Sequence, residues 1–156
     1  VERLQFVDQL PTSAVDIHCA SDSAARATAL WLDQYFADSE PEAPLPPIRL
    51  HGTDFQKAVW QLIAEIPYGE TATYGELSSR LAAQETGKQP HTTTRATSRA
   101  RAVGQAAGRN PVWLMIPCHR LLAAGGKLGG YAGGVRRKAW LVCLESANKS
   151  SLPSRR

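Results

Sequence analysis

The stretch TDFQKAVWQLIAEIPYGETATYGELSSRLAA, residues 53–83, decides the fold because it encodes two helices and the turn between them. Thr53 and Gln56 have the spacing of a capping box, in which each residue satisfies a free backbone N–H of the other. Apolar residues then recur at helical spacing from Phe55 to Ile66, which predicts an amphipathic helix that Pro67 ends.

A second and a third helix are predicted on the C-terminal side. Thr73 and Glu76 form another capping box and begin a short helix. The polar run 84–98 has no period and is predicted to be a flexible loop, and Ser98–Ala107 is predicted to be helical. Two short helices packed on a preceding one resemble a helix-turn-helix, although the usual connection is a turn of about 3–4 residues.

The N-terminal part predicts a strand at Leu4–Val7 and a helix from about Asp22 to Phe36. The segment PEAPLPPI that follows is an extended connector, since its four prolines suit neither a helix nor a central strand. The predicted apolar face of the helix consists of Ala27, Leu30, Trp31 and Tyr35.

The C-terminal part begins with an apolar segment, Val112–Ile116, that predicts a buried strand leading into Pro-Cys-His-Arg and continued by Leu121 and Leu122. A tight turn at 123–127 and a glycine-rich loop at 129–134 precede a last helix, Val135–Ser146. That helix is expected to bury Val135, Ala139, Trp140, Cys143 and Leu144, and to turn Arg136, Arg137 and Lys138 elsewhere.

These elements predict an α+β protein. Residues 1–48 form a small α/β N-terminal domain with its connector, and residues 49–147 form a mostly helical C-terminal domain with a helix-turn-helix-like motif. Residues 148–156 are predicted to be a disordered tail.

Charge is divided unevenly along the chain. Residues 1–48 carry eight acidic side chains against two arginines, whereas the whole chain has a net charge of +4. No Asp or Glu occurs between Thr86 and Leu144. A long basic window is typical of proteins that bind a polyanion, because each cation placed against a phosphate releases condensed counterions. The pattern favours nucleic acid over a merely solvated basic surface.

Other features exclude several classes of protein. No run approaches the roughly 18 apolar residues of a membrane helix, and the N-terminus lacks a charged leader followed by an apolar block. The cysteines Cys19, Cys118 and Cys143 have no CxxC spacing, so they predict neither a disulfide framework nor a zinc ribbon. Together with His18 and His51, Cys19 has no metal-ligand spacing, and we expect neither a metal nor another cofactor.

Cys118 is the candidate nucleophile. It follows a proline and precedes His119 and Arg120, in a region without acids, and neighbouring cations favour the thiolate that attacks electrophiles. The alternative, a small buried hydrophobe, is assigned to Cys19 and Cys143.

A Cys-His pair needs a third group that orients the imidazole. Glu145 is the only carboxylate C-terminal to Glu85, which makes it the candidate partner of His119. Asn110 is either a plain turn residue or a side-chain amide that ties its loop to the segment of Cys118.

Four segments followed by Glu145 together resemble the family of O6-alkylguanine-DNA alkyltransferases. The order and most spacings agree over residues 53–145. The segments are FQKAVWQLIAEIPYGETATYGELSSRLA, RAVGQAAGRNP, IPCHRLL and GGYAGGVRRKAWL.

The resemblance implies a DNA repair protein that binds duplex DNA in the minor groove and rotates the damaged guanine out of the stack. Cys118 would attack the alkyl carbon on guanine O6, His119 would remove the thiol proton through a water molecule, and Glu145 would hold the imidazole. Because the thioether has no easy leaving group, the transfer would occur once per molecule.

The resemblance also implies residues that contact DNA. Arg101 would fill the gap left by the flipped base, and Tyr74 would crowd the phosphate and protonate guanine N3. Asn110 would brace the active-site turn. Arg99 and Ala102, on the predicted third helix, are further DNA-binding candidates.

The substrate pocket follows from the resemblance in the same way. Tyr131 would form its wall, the backbone N–H of Ala132 would reach O6, and the carbonyls of Cys118 and Leu121 would bind the exocyclic amine. The expected partner is duplex DNA that contains O6-alkylguanine, bound by a monomer without membrane contact. The expected location is the cytoplasm of a bacterium or the nucleus of a eukaryote.

Two departures from the family pattern are the long 84–98 segment and a short N-terminal part. We expect the opening hairpin of the family to be missing from this part, which makes the chain a fragment or processed form, or makes the domain a reduced one. Two other functions compete. A lesion-binding protein of the alkyltransferase-like type would not transfer the alkyl group, but such relatives replace the cysteine. A Cys-His hydrolase with an incidental basic surface would turn over an ester.

Overall fold

The structure, a computed structural model, describes residues 1–6, 8, 23–37, 40–86 and 93–151, with the backbone alone at 93–97 and 150–151. Five α-helices, two 3-10 turns and two short strands make up its regular structure over these residues. In chain order they are α1 (Ser23–Phe36), α2 (Asp54–Ala64), β1 (Ala72–Thr73), α3 (Tyr74–Thr86), α4 (Thr93–Gly108), the first 3-10 turn (Cys118–Arg120), β2 (Leu121–Leu122), the second 3-10 turn (Ala124–Gly126) and α5 (Val135–Ser151).

Helix α2 begins at the predicted capping box, which is confirmed. The backbone N of Gln56 donates to the hydroxyl of Thr53 at 3.2 Å, and the backbone N of Thr53 donates to Oε1 of Gln56 at 2.9 Å. The indole of Trp60 on this helix donates to the carbonyl of Ala106 on α4 at 2.8 Å. This bond and the buried apolar face of α2 attach the helix to α4.

Helices α3 and α4 pack against each other and against α2, as the predicted motif requires. The capping box of Thr73 and Glu76 is confirmed, with hydrogen bonds of 2.6 Å and 3.1 Å between them. The predicted loop 84–98 is wrong at both ends, because α3 continues to Thr86 and α4 begins at Thr93. A helix can continue into polar residues beyond the last apolar residue that it buries. The polar run therefore shows where burial ends and not where the helix ends.

Helix α1 is confirmed, and it buries Trp31 and Tyr35. Leu30 was expected on the same face but is 54% exposed, so that part of the prediction is wrong. The predicted strand at Leu4–Val7 is also wrong within the described residues, where Leu4 forms an isolated parallel bridge with Val112. A single bridge without continuing partners is too short to make a strand.

Residues 112–116 are buried as expected, but they form turns and not the predicted strand. The backbone N of Ile116 donates to the carbonyl of Val112 at 3.1 Å, and Leu114 has a φ of 70°. This left-handed residue folds the chain back on itself, which an extended strand cannot do. The buried, folded segment 112–116 therefore leads directly into the Cys118 turn and holds it against the core.

The only sheet among the described residues pairs β1 with β2 in parallel, Ala72 opposite Leu121 and Thr73 opposite Leu122. Since β1 leads directly into α3 and β2 follows the Cys118 turn, the pairing attaches that turn to the start of the helical motif. The predicted α+β class is confirmed, with helices predominating and one small sheet.

Helix α5 is longer than predicted and buries a different face. It continues to Ser151, so the tail predicted at 148–156 is helical at its beginning. Val135 and Trp140 are 47% and 55% exposed, and Cys143 is exposed, against expectation. The buried face of α5 includes polar side chains that form hydrogen bonds in the protein interior. Apolar periodicity does not predict the burial of such residues. That face consists of Lys138, Leu141, Glu145 and Asn148.

No helix in the described part of the chain has the combined length and apolarity that crossing a bilayer demands.

Candidate active site

Cys118 begins the first 3-10 turn, and the side chain of Asn110 fixes it there. Nδ2 of Asn110 donates to the carbonyl of Ile116 at 2.8 Å and to Sγ of Cys118 at 3.1 Å. Oδ1 accepts from the backbone N of Val112 at 2.9 Å. The amide therefore ties the end of α4 to the nucleophile turn and contacts the sulfur itself.

Cys118 lies at the wall of an open cavity of about 460 Å³ that reaches helix α4. Since only 5% of Cys118 is exposed, a reagent reaches the sulfur through this cavity. Small residues of α4 and glycines of the 129–134 loop face the same space. The lining residues are Tyr74, Gly104, Ala107, Gly108, Cys118, Ala123, Gly129, Gly130, Tyr131 and Ala132.

His119 and Glu145 meet beneath this cavity, as the sequence predicted. Nε2 of His119 lies 2.8 Å from Oε1 of Glu145, and both side chains are almost completely buried. Arg120, from the same turn, donates through Nε to Oε2 at 2.8 Å and through Nη2 to Oε1 at 3.0 Å. Its Nη1 donates to the carbonyl of Ile66 at 2.6 Å. The carboxylate is thus paired with one permanent cation.

Burial opposes ionisation of Glu145, but hydrogen bonds and positive charge from His119 and Arg120 outweigh it and lower the carboxyl pKa to about 2. Burial lowers the pKa of His119 despite the opposing effect of Glu145. The imidazole is therefore neutral at neutral pH, and Arg120 is the lasting counter-charge of Glu145. Next to an ionised carboxylate Nε2 carries the proton, which leaves a lone pair on Nδ1. Within the described residues Nδ1 has no hydrogen-bond partner.

The sequence predicts that neighbouring cations favour the thiolate of Cys118, and the positive charge of Lys138 does so, but burial opposes it. Burial raises the pKa of the Cys118 thiol more than the hydrogen bond from Asn110, its own backbone and the charge of Lys138 lower it. The site therefore holds a thiol beside a neutral imidazole, so it needs a general base at the moment of attack.

Sequence reasoning missed Lys138, which was placed away from the buried face of α5. The side chain has no exposed surface, and its Nζ donates to the carbonyl of Gly130 at 3.2 Å and lies 5.8 Å from the ring centroid of Tyr74. Burial lowers the pKa of Lys138, and the negative charge of Cys118 in its thiolate form raises it. Lys138 and Glu145 are seven residues apart, or two helical turns, and so lie on the same face of α5. This spacing could have predicted that Lys138 is buried with Glu145.

The predicted pocket residues divide between the cavity and the core. Tyr74 and Tyr131 face the cavity, and burial followed by the charge of Cys118 raises the pKa of each phenol, so both remain neutral donors. The hydroxyl of Tyr74 lies 3.4 Å from the carbonyl of Gly130. Ala132 lines the cavity, whereas the side chain of Leu121 belongs to the core.

The predicted DNA contacts lie on two sides of α4. Arg101 is exposed and shares a helical face with Gly104 and Gly108 of the cavity wall. Arg99 and Ala102 line a separate groove with Phe55, and the guanidinium of Arg99 is paired with Glu85. Arg101 is thus on the face of α4 that carries Gly104 and Gly108, whereas the other two line the separate groove.

No group of His, Cys, Asp or Glu in the described ranges is placed to hold a metal ion, and His18 and Cys19 lie outside those ranges.

Asn110→Ala is expected to make Cys118 less reactive, because it removes a hydrogen bond that favours the thiolate. We expect alkylation of Cys118 by iodoacetamide at pH 8 to slow about five-fold and stability to fall by about 2 kcal/mol, since two buried backbone groups lose their partner. Peptide-resolved mass spectrometry over a pH series measures the first effect and thermal unfolding the second. Asn148→Ala is the matched control, because Asn148 is buried but bonds to Tyr68. Equal alkylation profiles for both variants would contradict the role of Asn110.

The sequence model of one family, described as 6-O-methylguanine DNA methyltransferase, DNA binding domain, matches residues 54–147. A methylated-DNA–protein-cysteine methyltransferase of Mycobacterium bovis is 40% identical over 131 residues, which cover 83% of this chain and 71% of the relative. A protein of the same name from Methanosarcina acetivorans is 40% identical over 124 residues, covering 78% and 69%.

Solved structures give the same picture. The crystal structure of Mycobacterium tuberculosis OGT in complex with DNA superposes with a TM-score of 0.67 at 40% identity, over 80% of this chain and 68% of that one. A variant of the M. tuberculosis O6-methylguanine methyltransferase superposes with a TM-score of 0.69 at 36% identity, over 98% and 82%.

Proposed function

The chain belongs to the 6-O-methylguanine DNA methyltransferase family, and we propose that it repairs DNA by transferring the alkyl group of O6-alkylguanine to Cys118. The observation that carries the assignment to Cys118 is a buried thiol at the wall of a cavity, in the same turn as His119, whose Nε2 is hydrogen-bonded to Glu145. Family membership alone does not identify the acceptor atom.

In the proposed reaction the sulfur of Cys118 forms a bond to the alkyl carbon while the bond from that carbon to guanine O6 breaks. The thiol proton passes through water to Nδ1 of His119, and Glu145 stabilises the imidazolium that forms. The electron pair of the broken bond stays on guanine, which takes a proton at N3 from Tyr74. The phenolate of Tyr74 then regains a proton from water, and the imidazolium of His119 returns its proton to water. Asn110 donates to the sulfur and holds the turn, so the attacking atom is positioned before the substrate arrives.

The product explains why each molecule reacts once. A thioether carbon has no good leaving group, and water does not displace the sulfur. The protein is therefore consumed stoichiometrically. A thiol hydrolase, in contrast, forms a thioester that water releases.

We also propose how the protein meets its substrate. Arg101, at the rim of the cavity, enters the duplex from the minor groove and occupies the space of the extruded guanine, while Arg99 and Ala102 contact the backbone nearby. The flipped base enters between Tyr131 and Tyr74, with the backbone N–H of Ala132 near O6 and the carbonyls of Cys118 and Leu121 near the exocyclic amine. The window from Thr86 to Leu144 without acids supports this contact surface.

The family's DNA-binding domain makes DNA the partner. The finer proposal is a monomer that recognises O6-alkylguanine in duplex DNA. It would act in the compartment that holds the DNA, which is the cytoplasm in bacteria such as the mycobacterial relatives.

Intact-mass spectrometry after incubation with a duplex that contains one O6-methylguanine tests the proposal. We expect the protein to gain the mass of one methyl group in place of a hydrogen, to stop at one per molecule, and to carry it on the peptide of Cys118. Binding of the duplex with no change in mass would contradict the transfer. More than one demethylated duplex per protein molecule would contradict the single use of the thiol.

A further inference from the structure

Tyr35 reaches the catalytic pair from helix α1, and the mechanism above does not use it. Its side chain has no exposed surface, and its hydroxyl donates to Oε1 of Glu145 at 2.5 Å and lies 3.4 Å from Nε2 of His119. Helix α1 belongs to the acidic N-terminal part of the chain, whereas His119 and Glu145 belong to the C-terminal part.

We propose that Tyr35 is a positioning residue for alkyl transfer. Its hydroxyl occupies one hydrogen-bonding position on Oε1 of Glu145, and this limits how strongly the carboxylate holds a proton on His119. The inference rests on the proposed function, because it concerns the base that the transfer requires.

The ring of Tyr35 is held so that its hydroxyl has one direction. It stacks on Trp31 at 5.3 Å between centroids and meets the edge of Tyr68 at 5.9 Å. Burial, and then the negative charge of Glu145, raises the pKa of Tyr35 well above its ordinary value. The hydroxyl therefore remains a proton donor throughout the pH range in which the protein acts.

The two oxygens of Glu145 face different sets of hydrogen-bond donors. Oε1 faces Tyr35, His119 and Nη2 of Arg120, whereas Oε2 accepts from Nε of Arg120 at 2.8 Å and from the backbone N of Gly69 at 3.2 Å. Three donors approach Oε1, which has two lone pairs, so they compete for the same acceptor. Of these three donors, His119 and Arg120 belong to the Cys118–Arg120 turn. Tyr35 comes from another element, helix α1, and carries no charge.

Charged and titratable groups face the His119–Glu145 pair from each neighbouring element. Arg120 and Lys138 are positive and disfavour a second positive charge on His119. Tyr68 accepts a hydrogen bond from Asn148 at 3.1 Å. The full set is Tyr35 of α1, Tyr68 after α2, Cys118 and Arg120 of the turn, Tyr131 of the glycine-rich loop and Lys138 of α5.

Removing the hydroxyl of Tyr35 has a defined sign. With one donor fewer, Oε1 of Glu145 interacts more strongly with the proton on Nε2, which stabilises the imidazolium and raises the pKa of His119. At a pH below that pKa less of the imidazole is neutral, so less base is available to Cys118. The rate falls at low pH and recovers as the pH rises.

Tyr35→Phe keeps the ring and removes only the donor. We expect the acid limb of the transfer rate, measured in single turnover between pH 4.5 and 9, to move to higher pH by about half to one unit. At a pH below the wild-type limb the rate would then fall about three- to ten-fold, and the rate at pH 8.5 would change by less than about two-fold. Tyr68→Phe is the matched control, since it removes a buried hydroxyl that bonds elsewhere, and its acid limb should not move.

A fall by one factor at every pH, or no shift relative to Tyr68→Phe, would overturn the inference in favour of a purely structural role. Replacement of Tyr35 by 4-aminophenylalanine keeps a donor on the ring but a weaker one, so its acid limb should move in the same direction as that of Tyr35→Phe and by less. If Tyr35→Phe does not fold, this variant decides alone, and a profile identical to that of the wild type would contradict the role.

Alkylation of Cys118 by iodoacetamide over the same pH range separates the inference from the proposed function, because it needs no DNA. A wild-type protein that fails to take a methyl group from DNA contradicts the proposed function. An alkylation profile of Cys118 that Tyr35→Phe leaves unchanged contradicts the role of Tyr35, whatever the substrate is.

Discussion

Cys118→Ser is expected to abolish alkyl transfer and to leave binding of duplex DNA within about two-fold of wild type. A serine hydroxyl is far less acidic than a thiol, and a neutral His119 with a lowered pKa is too weak a base to remove its proton. In the proposed complex DNA contacts exposed residues of α4, whereas Cys118 is 5% exposed, so the substitution leaves that contact surface unchanged. Intact-mass spectrometry and a gel-shift titration with the same O6-methylguanine duplex measure the two quantities.

Cys143→Ser is the matched control for this experiment. Cys143 is exposed on α5 and takes no part in the cavity, so this variant should accept one methyl group as the wild type does. A methyl group on the Cys118→Ser protein, or its absence from the Cys143→Ser protein, would show that Cys118 is not the acceptor.

Glu145→Gln is expected to slow transfer about 100-fold or more and to destabilise the fold by about 3–5 kcal/mol. The amide leaves the buried guanidinium of Arg120 without a counter-charge and no longer stabilises an imidazolium at His119. For a chain of this length the loss corresponds to a fall in Tm of roughly 10 °C. Single-turnover kinetics and thermal unfolding followed by circular dichroism measure the two effects.

Glu65→Gln is the matched control, because Glu65 pairs with Arg80 in an exposed salt bridge that contributes little, about 0.5 kcal/mol or less. The pH dependence gives a second check. The pKa of Glu145 is lowered in the folded state, from an ordinary 4.5 to about 2, so its contribution is present above 4.5 and is lost as the pH falls towards 2. If stability were lost equally with pH in the wild type and in Glu145→Gln, the carboxylate would not be the group responsible.

The helical motif could be predicted from the sequence because its signals are local. Two capping boxes and the apolar spacing of α2 depend on residues within one or two turns of each other. The adjacency of Cys118 and His119 is likewise visible in the chain, and Glu145 followed by elimination as the only carboxylate in reach.

The buried polar groups could not be predicted in this way. Lys138 and Tyr35 are inside because of partners that lie far away in sequence, a carbonyl at Gly130 for the first and Glu145 for the second. Apolar periodicity assigns residues to the core by their hydrophobicity and therefore predicts that Lys138 is exposed. The burial of Lys138 depends instead on its hydrogen-bond partner. The same limit explains why Trp140 was expected inside and is exposed.

The base that serves Cys118 is assembled from parts of the chain that are made at different times. Glu145 on α5 receives hydrogen bonds from α1, from the backbone at Gly69 and from Arg120. A ribosome releases the thiol before it releases the final helix, so the imidazole of a nascent chain lacks the Glu145 partner that the proposed reaction requires. The proposed transfer therefore waits until α5 has folded against the Cys118 turn.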